Sequence, residues 1–220
     1  EVADAIRIDD TVTGAPVVIS GCTVRNYTNR FVYVSLSGKI ESLTIDDCIF
    51  IGADNSTTNK AIYASSAHTQ VETLSVTNST FLNFNTGSNY FFRINCGEEL
   101  VLMPVVLIDH CTFYNCYDRR GVYLYNAGRS TIKNCISAFS ERRDDTKSFT
   151  AYGDESIVKN VISYNVDLYG SAPKENIISK NPLFVDAENG NFQLYKDSPA
   201  VGAGDDGSDL GDPRRGGFSE

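Results

Sequence analysis

The sequence VVLIDHCTF at residues 105–113 holds two apolar runs on either side of a polar turn. A third run, GVYLY at residues 121–125, follows after a short polar segment. Valine, isoleucine, threonine and aromatic residues are enriched in strands, whereas Asp, Asn and Gly favour turns. No window of eleven residues in the chain has the apolar spacing of an amphipathic helix. The segment therefore predicts three short β-strands joined by turns.

The same unit recurs along the whole chain. In each copy a small or apolar anchor residue follows the turn after the first run, and successive anchors lie 24 to 32 residues apart. The anchors are Cys22, Cys48, Ser79, Cys111, Cys135 and Val161. A repeat of this kind predicts an all-β fold, a right-handed parallel β-helix (a solenoid) with three strands per coil and about six to seven coils. A leucine-rich repeat fits less well because a helical half-repeat and a regular leucine spacing are missing.

Three columns of side chains follow from stacking these units. The anchors are predicted to point inward, and four of the six cysteines lie among them, so we expect reduced, buried thiols rather than disulfides. The residue two positions later forms a second column, namely Val24, Phe50, Phe81, Phe113, Ser137 and Ser163. The residue before the anchor forms a turn column suited to left-handed backbone, namely Gly21, Asp47, Asn78, His110, Asn134 and Asn160.

Composition excludes some classes of function. The 220 residues include 19 basic and 28 acidic side chains, for a formal net charge of −9. This balance argues against a nucleic-acid partner, because phosphate binding needs a basic surface. No apolar run is long enough for a transmembrane helix. The six cysteines form no C-x-x-C pair and only two histidines accompany them, so zinc binding and thiol catalysis have weak support.

The C-terminal part has a different pattern. NPLFVD at 181–186, NGNFQL at 189–194 and SPAVGAG at 198–204 follow one another. Together with the anchored units over about residues 15–170, they resemble the coils and terminal cap of the pectate-lyase-like superfamily, in particular secreted polysaccharide-lyase-like proteins of Bacteroides-type bacteria. The resemblance implies one continuous domain, with coils over residues 1–175 and a terminal coil and cap over 176–220.

That resemblance also implies a location and a class of substrate. It indicates a secreted, periplasmic or cell-surface protein of a bacterium that acts on uronate-rich polysaccharides. Full lyases of this class have more coils, so the chain is also compatible with being the C-terminal portion of a longer protein with further N-terminal coils. The fold by itself does not specify the activity.

The third strand of each unit presents aromatic residues on its outward face. The column is predicted to hold Tyr33, Tyr63, Phe91, Tyr123, Tyr125 and Tyr152. Aromatic faces pack on the C–H surfaces of sugar rings, so this column is a candidate binding platform for a glycan. A ladder of stacked rings that only stabilises the sheet is the alternative.

Basic residues accompany this column. Arg93 interrupts it, and Lys60 and Arg120, with Arg30, Arg119 and Lys147, precede the strands. A guanidinium pairs well with a uronate carboxylate. The resemblance implies β-elimination, with Arg93, Arg120 and Lys60 as candidate catalytic residues and Arg93 as base or carboxylate clamp. An exposed turn rim without function is the alternative.

Calcium is the candidate cofactor that the resemblance implies. Asp46, Asp47 and Asp109 lie in anchor turns, and Ca²⁺ favours carboxylate oxygens. Turn capping by these aspartates is the alternative. The leading hypothesis is a polysaccharide lyase or lyase-like domain, and its rivals are a non-catalytic glycan-binding module and a structural or adhesin-type solenoid.

Overall fold

A computed structural model describes residues 4–9, 14–25, 27, 29–35, 39–52, 60–66, 70–84, 90–96, 104–116, 119–125, 127–142 and 144–214. These residues form an all-β structure in which the one helix is the 3₁₀ turn Ala187–Asn189. Nothing within these ranges is a helix of the length and apolar character that crossing a bilayer requires. The all-β prediction is confirmed.

The first sheet has seven parallel strands. In sheet order these are β1 (Asp4–Ile8), β4 (Arg30–Val34), β7 (Lys60–Ser66), β10 (Phe92–Cys96), β13 (Val122–Tyr125), β15 (Lys147–Ala151) and β17 (Asp167–Tyr169). Each strand pairs with the strand of the preceding and the following unit, so that Val32 lies beside Ile62 and Ile62 beside Phe92. The side chains of Val32, Ile62, Phe92 and Val122 at this register position are fully buried.

The second sheet collects the two strands on either side of each turn. The strands before the turn are β2 (Val17–Ser20), β5 (Lys39–Asp46), β8 (Gln70–Thr77) and β11 (Val105–Asp109). Those after it are β3 (Thr23–Val24), β6 (Ile49–Ile51), β9 (Thr80–Leu82) and β12 (Thr112–Tyr114). In the later units a single long strand replaces the two short ones, namely β14 (Arg129–Ala138) and then β16 (Ile157–Tyr164). The last strand of this sheet, β18 (Lys174–Ile178), pairs with β16. Every pairing is parallel, and this order is consistent with a β-solenoid.

Stacked phenylalanines fill the core, as the second predicted column requires. Phe81 lies between Phe50 and Phe113 with ring centroids 4.7 Å apart on each side, and the interplanar angles are 1° and 8°. Phe31 and Phe149 close the stack edge-on. Such offset and edge-to-face contacts add to the stabilisation from burial of these large rings.

The anchor column is inward and its cysteines are reduced. Cys48, Cys111 and Cys135 are buried and unpaired by disulfides, and Cys22 is half-buried. Burial raises the pKa of the Cys48 and Cys111 thiols. Buried neutral thiols are poor nucleophiles, so Cys48 and Cys111 serve packing rather than catalysis.

The turn column has left-handed backbone at every predicted position. Asp47, Asn78, His110, Asn134 and Asn160 have φ between 48° and 56°. Gly21 has φ 67°, and Asn176 in the last unit continues the series with φ 49°. Asn and Asp tolerate this conformation better than other non-glycine residues, which explains their recurrence.

The C-terminal segment does more than close the end of the stack. β19 (Phe184–Asp186) and β20 (Asn191–Leu194) form an antiparallel pair, and residues 198–214 then run back along the turn column. The Arg214 guanidinium donates to the carbonyls of Asp47, Cys48 and Asn78 at 2.9, 2.9 and 3.0 Å. Residues 198–214 are called the return strap below.

Asp205 fixes the middle of the return strap. Its carboxylate accepts a hydrogen bond from Asn134 at 2.8 Å and lies 3.2 Å from the Lys133 ammonium and 3.0 Å from the Lys159 ammonium. The Asn134 hydrogen bond, then the two lysines, hold the pKa of Asp205 well below its usual range.

We expect Asp205→Asn to reduce the free energy of unfolding at pH 7 and to reduce it less at pH 3. The lowered folded pKa means that the carboxylate stabilises the fold above its unfolded pKa of about 3.9 and loses this contribution as pH falls through the folded value. Urea unfolding of both proteins at the two pH values measures the difference. Asp144→Asn, at an exposed carboxylate 3.5 Å from Arg142, is the control and should change little at either pH.

Ser208, His110 and Asp109 form a line that resembles a catalytic triad. His110 Nδ1 lies 2.9 Å from Asp109 Oδ1, and Nε2 lies 2.7 Å from Ser208 Oγ. The Ser208 hydroxyl, however, donates to Asp206 at 2.5 Å, so its proton is directed away from His110. A general base must accept that proton, so this line is a clasp between strap and turn column rather than an activated nucleophile.

Candidate functional site

The outward face of the seven-stranded sheet carries a continuous run of tyrosines and cations. Strand register places Arg7 beside Tyr33, Tyr33 beside Tyr63, Tyr63 beside Arg93, and Arg93 beside Tyr123. Side chains in register on neighbouring parallel strands lie about 4.8 Å apart, close enough to contact. This run is called the tyrosine–arginine stripe and comprises Arg7, Arg30, Tyr33, Lys60, Tyr63, Tyr90, Arg93, Arg120, Tyr123, Tyr125 and Tyr152.

The rings of the stripe contact one another in sequence. The centroid distances are 5.9 Å for Tyr33–Tyr63, 6.1 Å for Tyr63–Tyr90, 5.9 Å for Tyr90–Tyr123, 5.7 Å for Tyr123–Tyr125 and 5.7 Å for Tyr125–Tyr152. The rings therefore follow five neighbouring strands, over a length of about 19 Å at about 4.8 Å per strand.

A cation lies against most of these rings. The Arg30 guanidinium carbon is 3.5 Å from the Tyr33 centroid, and that of Arg120 is 4.7 Å from the Tyr123 centroid. The Lys60 ammonium is 5.3 Å from the centroid of Tyr90. Cation–π attraction in this range holds the cations close to the sheet rather than extended into solvent.

Arg93 lies at the centre of the stripe. Its guanidinium carbon is 4.6 Å from the Tyr90 centroid and 6.0 Å from the Tyr63 centroid, and Nη1 donates a hydrogen bond to the Tyr90 hydroxyl. The Nε–H is buried and has no hydrogen-bond partner among the described residues. Arg93 is thus fixed between two rings with one donor left unmatched.

Tyr90 and Tyr152 have raised pKa values because burial disfavours their phenolate forms. At Tyr90, Arg93 opposes the effect of burial, since its positive charge and hydrogen bond stabilise the phenolate. At Tyr152, the neighbouring Tyr123 adds to the effect of burial. Both tyrosines are therefore neutral hydrogen-bonding groups at pH 7.

The prediction that Phe91 belongs to the outward aromatic column was wrong. It is 1% exposed and packs with Phe84 and Phe81 in the core, so it is not a binding residue. Counting residues from the anchor aligned Phe91 with Tyr123, but the strand register pairs Tyr123 with Arg93. The segment between anchor and strand differs in length between units, which moves the outward position by two residues.

Tyr90 is a stripe residue that the sequence pattern did not reveal. Counting back from the pair of Phe92 with Ile62 places Tyr90 beside Lys60, at the position where the other units carry Arg30 and Arg120. It contacts the rings of Tyr63 and Tyr123. The sequence offered one sign of this role, because Tyr90 precedes its strand at the position where neighbouring units carry a basic residue.

Tyr123 presents less of its ring than predicted. It is 7% exposed, because Tyr90 and Tyr125 stack on it and Tyr152 approaches it edge-on. Tyr33, Tyr63, Tyr125 and Tyr152 are half-buried and keep accessible surface. Tyr123 therefore supports its neighbours, and the accessible rings flank it.

Positive charge concentrates in the middle of the stripe. At one end Arg30 pairs with Asp4 at 2.6 Å, and beyond the other end Lys147 pairs with Asp167 at 3.4 Å. Arg93 and Arg120 make no ion pair with any described residue. Their charge is balanced by ring faces and hydroxyls, which leaves them available to an anionic ligand.

The three predicted calcium ligands do not come together. Asp46 accepts hydrogen bonds from Thr77 and Asn78, Asp47 pairs with Arg214 at 2.8 Å, and Asp109 accepts from Asn134 and pairs with Lys133. No cluster of three acidic, histidine or cysteine side chains suited to a metal occurs in the described part of the chain. The turn-capping alternative accounts for these aspartates.

Comparison with known proteins adds one finding. Residues 5–84 match a family model described as a domain of unknown function (DUF4957). The match covers a little over a third of the 220 residues and includes Arg7, Arg30, Tyr33, Lys60 and Tyr63 of the stripe but not its centre. No curated protein matches the sequence.

Proposed function

We propose that this protein binds uronate-rich glycans along the tyrosine–arginine stripe. The observation that carries the proposal is the alternation of ring faces with cations over about five strands, in the middle of which Arg93 and Arg120 make no ion pair with a described residue. Each uronate unit offers a C–H face for stacking and a carboxylate for a guanidinium. A chain of net charge −9 needs such a local concentration of bases to hold an acidic polymer.

The finer architecture belongs to the same proposal. We infer a right-handed parallel β-helix with three strands per coil and about six to seven coils, similar to the pectate-lyase-like superfamily. The parallel order of both sheets and the repeating left-handed turn support it. A secreted, periplasmic or cell-surface location, and further coils on the N-terminal side in a longer protein, are parts of this proposal that follow from the resemblance.

β-Elimination is the second candidate function, and the pairing of Arg93 with Tyr90 favours it. In this reaction a base removes the proton alpha to the carboxylate, the carbon–oxygen bond beta to it breaks, and the leaving oxygen takes up a proton. The guanidinium of Arg93 has only donors, so it suits the carboxylate clamp. Tyr90, neutral at pH 7, is the group suited to remove the proton once it ionises at alkaline pH, where Arg93 stabilises its phenolate against the effect of burial and Lys60 beside it adds positive charge. Ca²⁺ is a candidate cofactor for the elimination reaction and has no part in the proposed glycan binding.

The test is a panel of polygalacturonate, alginate and a neutral glucan, each with and without Ca²⁺. We expect binding of the two uronans with micromolar to millimolar affinity and no binding of the glucan, measured by affinity electrophoresis and calorimetry. Binding should weaken with added salt, because charge attraction contributes to it. If elimination occurs, new ultraviolet absorbance from unsaturated products will appear and increase toward alkaline pH as Tyr90 ionises.

The outcomes separate the hypotheses. Binding without new absorbance supports the non-catalytic module, and absorbance that needs Ca²⁺ supports the metal-assisted lyase. If the glucan binds as tightly as the uronans, or if neither uronan binds, the proposed function is contradicted and a structural solenoid is favoured.

A further inference from the structure

A cavity of about 360 Å³ lies between the second sheet and the segment that leads into the 3₁₀ turn. It is called the C-terminal cavity here, and Tyr114, Phe139, Tyr164, Phe184, Asp186 and Glu188 are among its lining residues. Its size falls within the range of about 300–1,000 Å³ that is usual for small-molecule sites. The tyrosine–arginine stripe contributes no residue to it.

The walls of the cavity are held by packing and by a partly buried hydrogen bond. Tyr114 is buried, and its ring meets Phe184 and Phe192 edge-on at centroid distances of 6.1 and 5.6 Å. Its hydroxyl donates to Glu188 Oε1 at 2.7 Å across the cavity wall. The cavity is therefore built by contacts between two elements rather than by a single loop, and its shape is pre-formed.

Its polar groups have a distinct chemistry. Asp186 and Glu188 supply carboxylates, whereas Ser140, Asn181 and Tyr164 supply groups that both donate and accept. None of the lining residues is basic. The carboxylates are already hydrogen-bonded to Asn189 and Tyr114, and each keeps a second oxygen.

We propose that the C-terminal cavity binds a neutral sugar unit, a hexose or deoxyhexose ring. Aromatic walls suit the C–H face of such a ring, and its hydroxyls donate to the carboxylates while accepting from the amide and hydroxyl groups. A uronate is disfavoured because its charge meets two carboxylates without a cation. An ammonium only donates, so it offers no acceptor to the Asn181 amide.

This inference goes beyond the proposed function and does not depend on it. The stripe would select acidic units through cations, and the cavity would select neutral units through hydroxyls. A protein with both sites recognises a glycan that carries both kinds of unit, or two different glycans.

The experiment uses the full chain, isotopically labelled, titrated by NMR with D-galactose, D-mannose and L-rhamnose, and in separate arms with D-galacturonate and D-glucosamine. We expect at least one neutral sugar to give saturable shifts in residues 181–188, with a dissociation constant of about a millimolar for so small a ligand. Glu188→Ala, at an exposed position, should weaken it about tenfold through lost hydrogen bonds. Val185→Trp, also exposed, should block the cavity without altering the core.

Arg93→Ala is the matched control, and it should leave neutral-sugar binding unchanged whatever it does to uronate binding. The proposal fails if no neutral sugar shifts residues 181–188, if Glu188→Ala and Val185→Trp bind as tightly as the unaltered chain, or if glucosamine binds in preference. Loss of uronate binding alone counts against the stripe and not against the cavity.

Discussion

Phe81→Ala is expected to lower the free energy of unfolding by about 3–5 kcal/mol, the usual loss for a fully buried phenylalanine. Phe81 is 0% exposed and lies at the centre of the phenylalanine stack, between Phe50 and Phe113. Its removal leaves a cavity that backbone shifts cannot close, because parallel strands hold both neighbours at fixed spacing. Both faces of the ring lose their contacts at once.

Urea unfolding followed by circular dichroism measures this loss. Tyr195→Ala is the matched control, since this aromatic residue is 54% exposed and should cost less than about 0.5 kcal/mol. If Phe81→Ala is too unstable to purify, Phe81→Leu keeps most of the volume and should lose a smaller amount. If Phe81→Ala lowers the free energy of unfolding no more than Tyr195→Ala does, the phenylalanine stack does not stabilise the core.

Arg93→Ala is expected to weaken uronate binding by about tenfold to a hundredfold. The expectation rests on the proposed function and on the position of Arg93 at the centre of the stripe, fixed by Tyr90 and Tyr63. A hydrogen bond to a charged group contributes about 1.5–3 kcal/mol, and about 1.4 kcal/mol corresponds to a factor of ten. Arg93→Lys should recover only part of the affinity, because lysine keeps the charge and lacks the planar fork.

Calorimetry with oligogalacturonate and oligoguluronate measures the effect, and circular dichroism checks that the variants fold. Arg129→Ala is the matched control, because Arg129 is an exposed arginine of β14 in the other sheet. It changes net charge equally and should leave the affinity within about twofold, the level expected of an exposed charge away from the ligand. Equal losses in both variants would indicate general charge attraction rather than a site.

The features of the repeated unit could be predicted from residues that lie close together in the sequence. Asn134 and Asp47 were predicted in left-handed turns because their side chains tolerate that backbone, and both adopt it. Phe50, Phe81 and Phe113 were predicted in one column because they follow the anchor at a fixed distance, with no loop between. The phenylalanine lies only two residues after the anchor, so no loop of variable length can change its register.

The stripe was predictable only in part. Tyr33, Tyr63 and Arg93 were assigned to the outward face, and they are in register there. Phe91 was misassigned and Tyr90 was missed, since both follow a segment whose length differs between units. The extra two residues place Phe91 before β10 begins, where its ring packs in the core, and they put Arg93 at the outward position beside Tyr123.

Sequence patterns alone were sufficient to predict the all-β repeat, the inward phenylalanine and cysteine columns and the left-handed turns, because each depends on residues a few positions apart. The contacts between cations and rings, the C-terminal cavity and the path of the return strap became known only from the three-dimensional structure. Arg214 binds the carbonyls of Cys48 and Asn78 although more than a hundred residues separate them in the chain. Such contacts depend on how many units are stacked and on where the chain turns back, and neither is encoded in a local pattern.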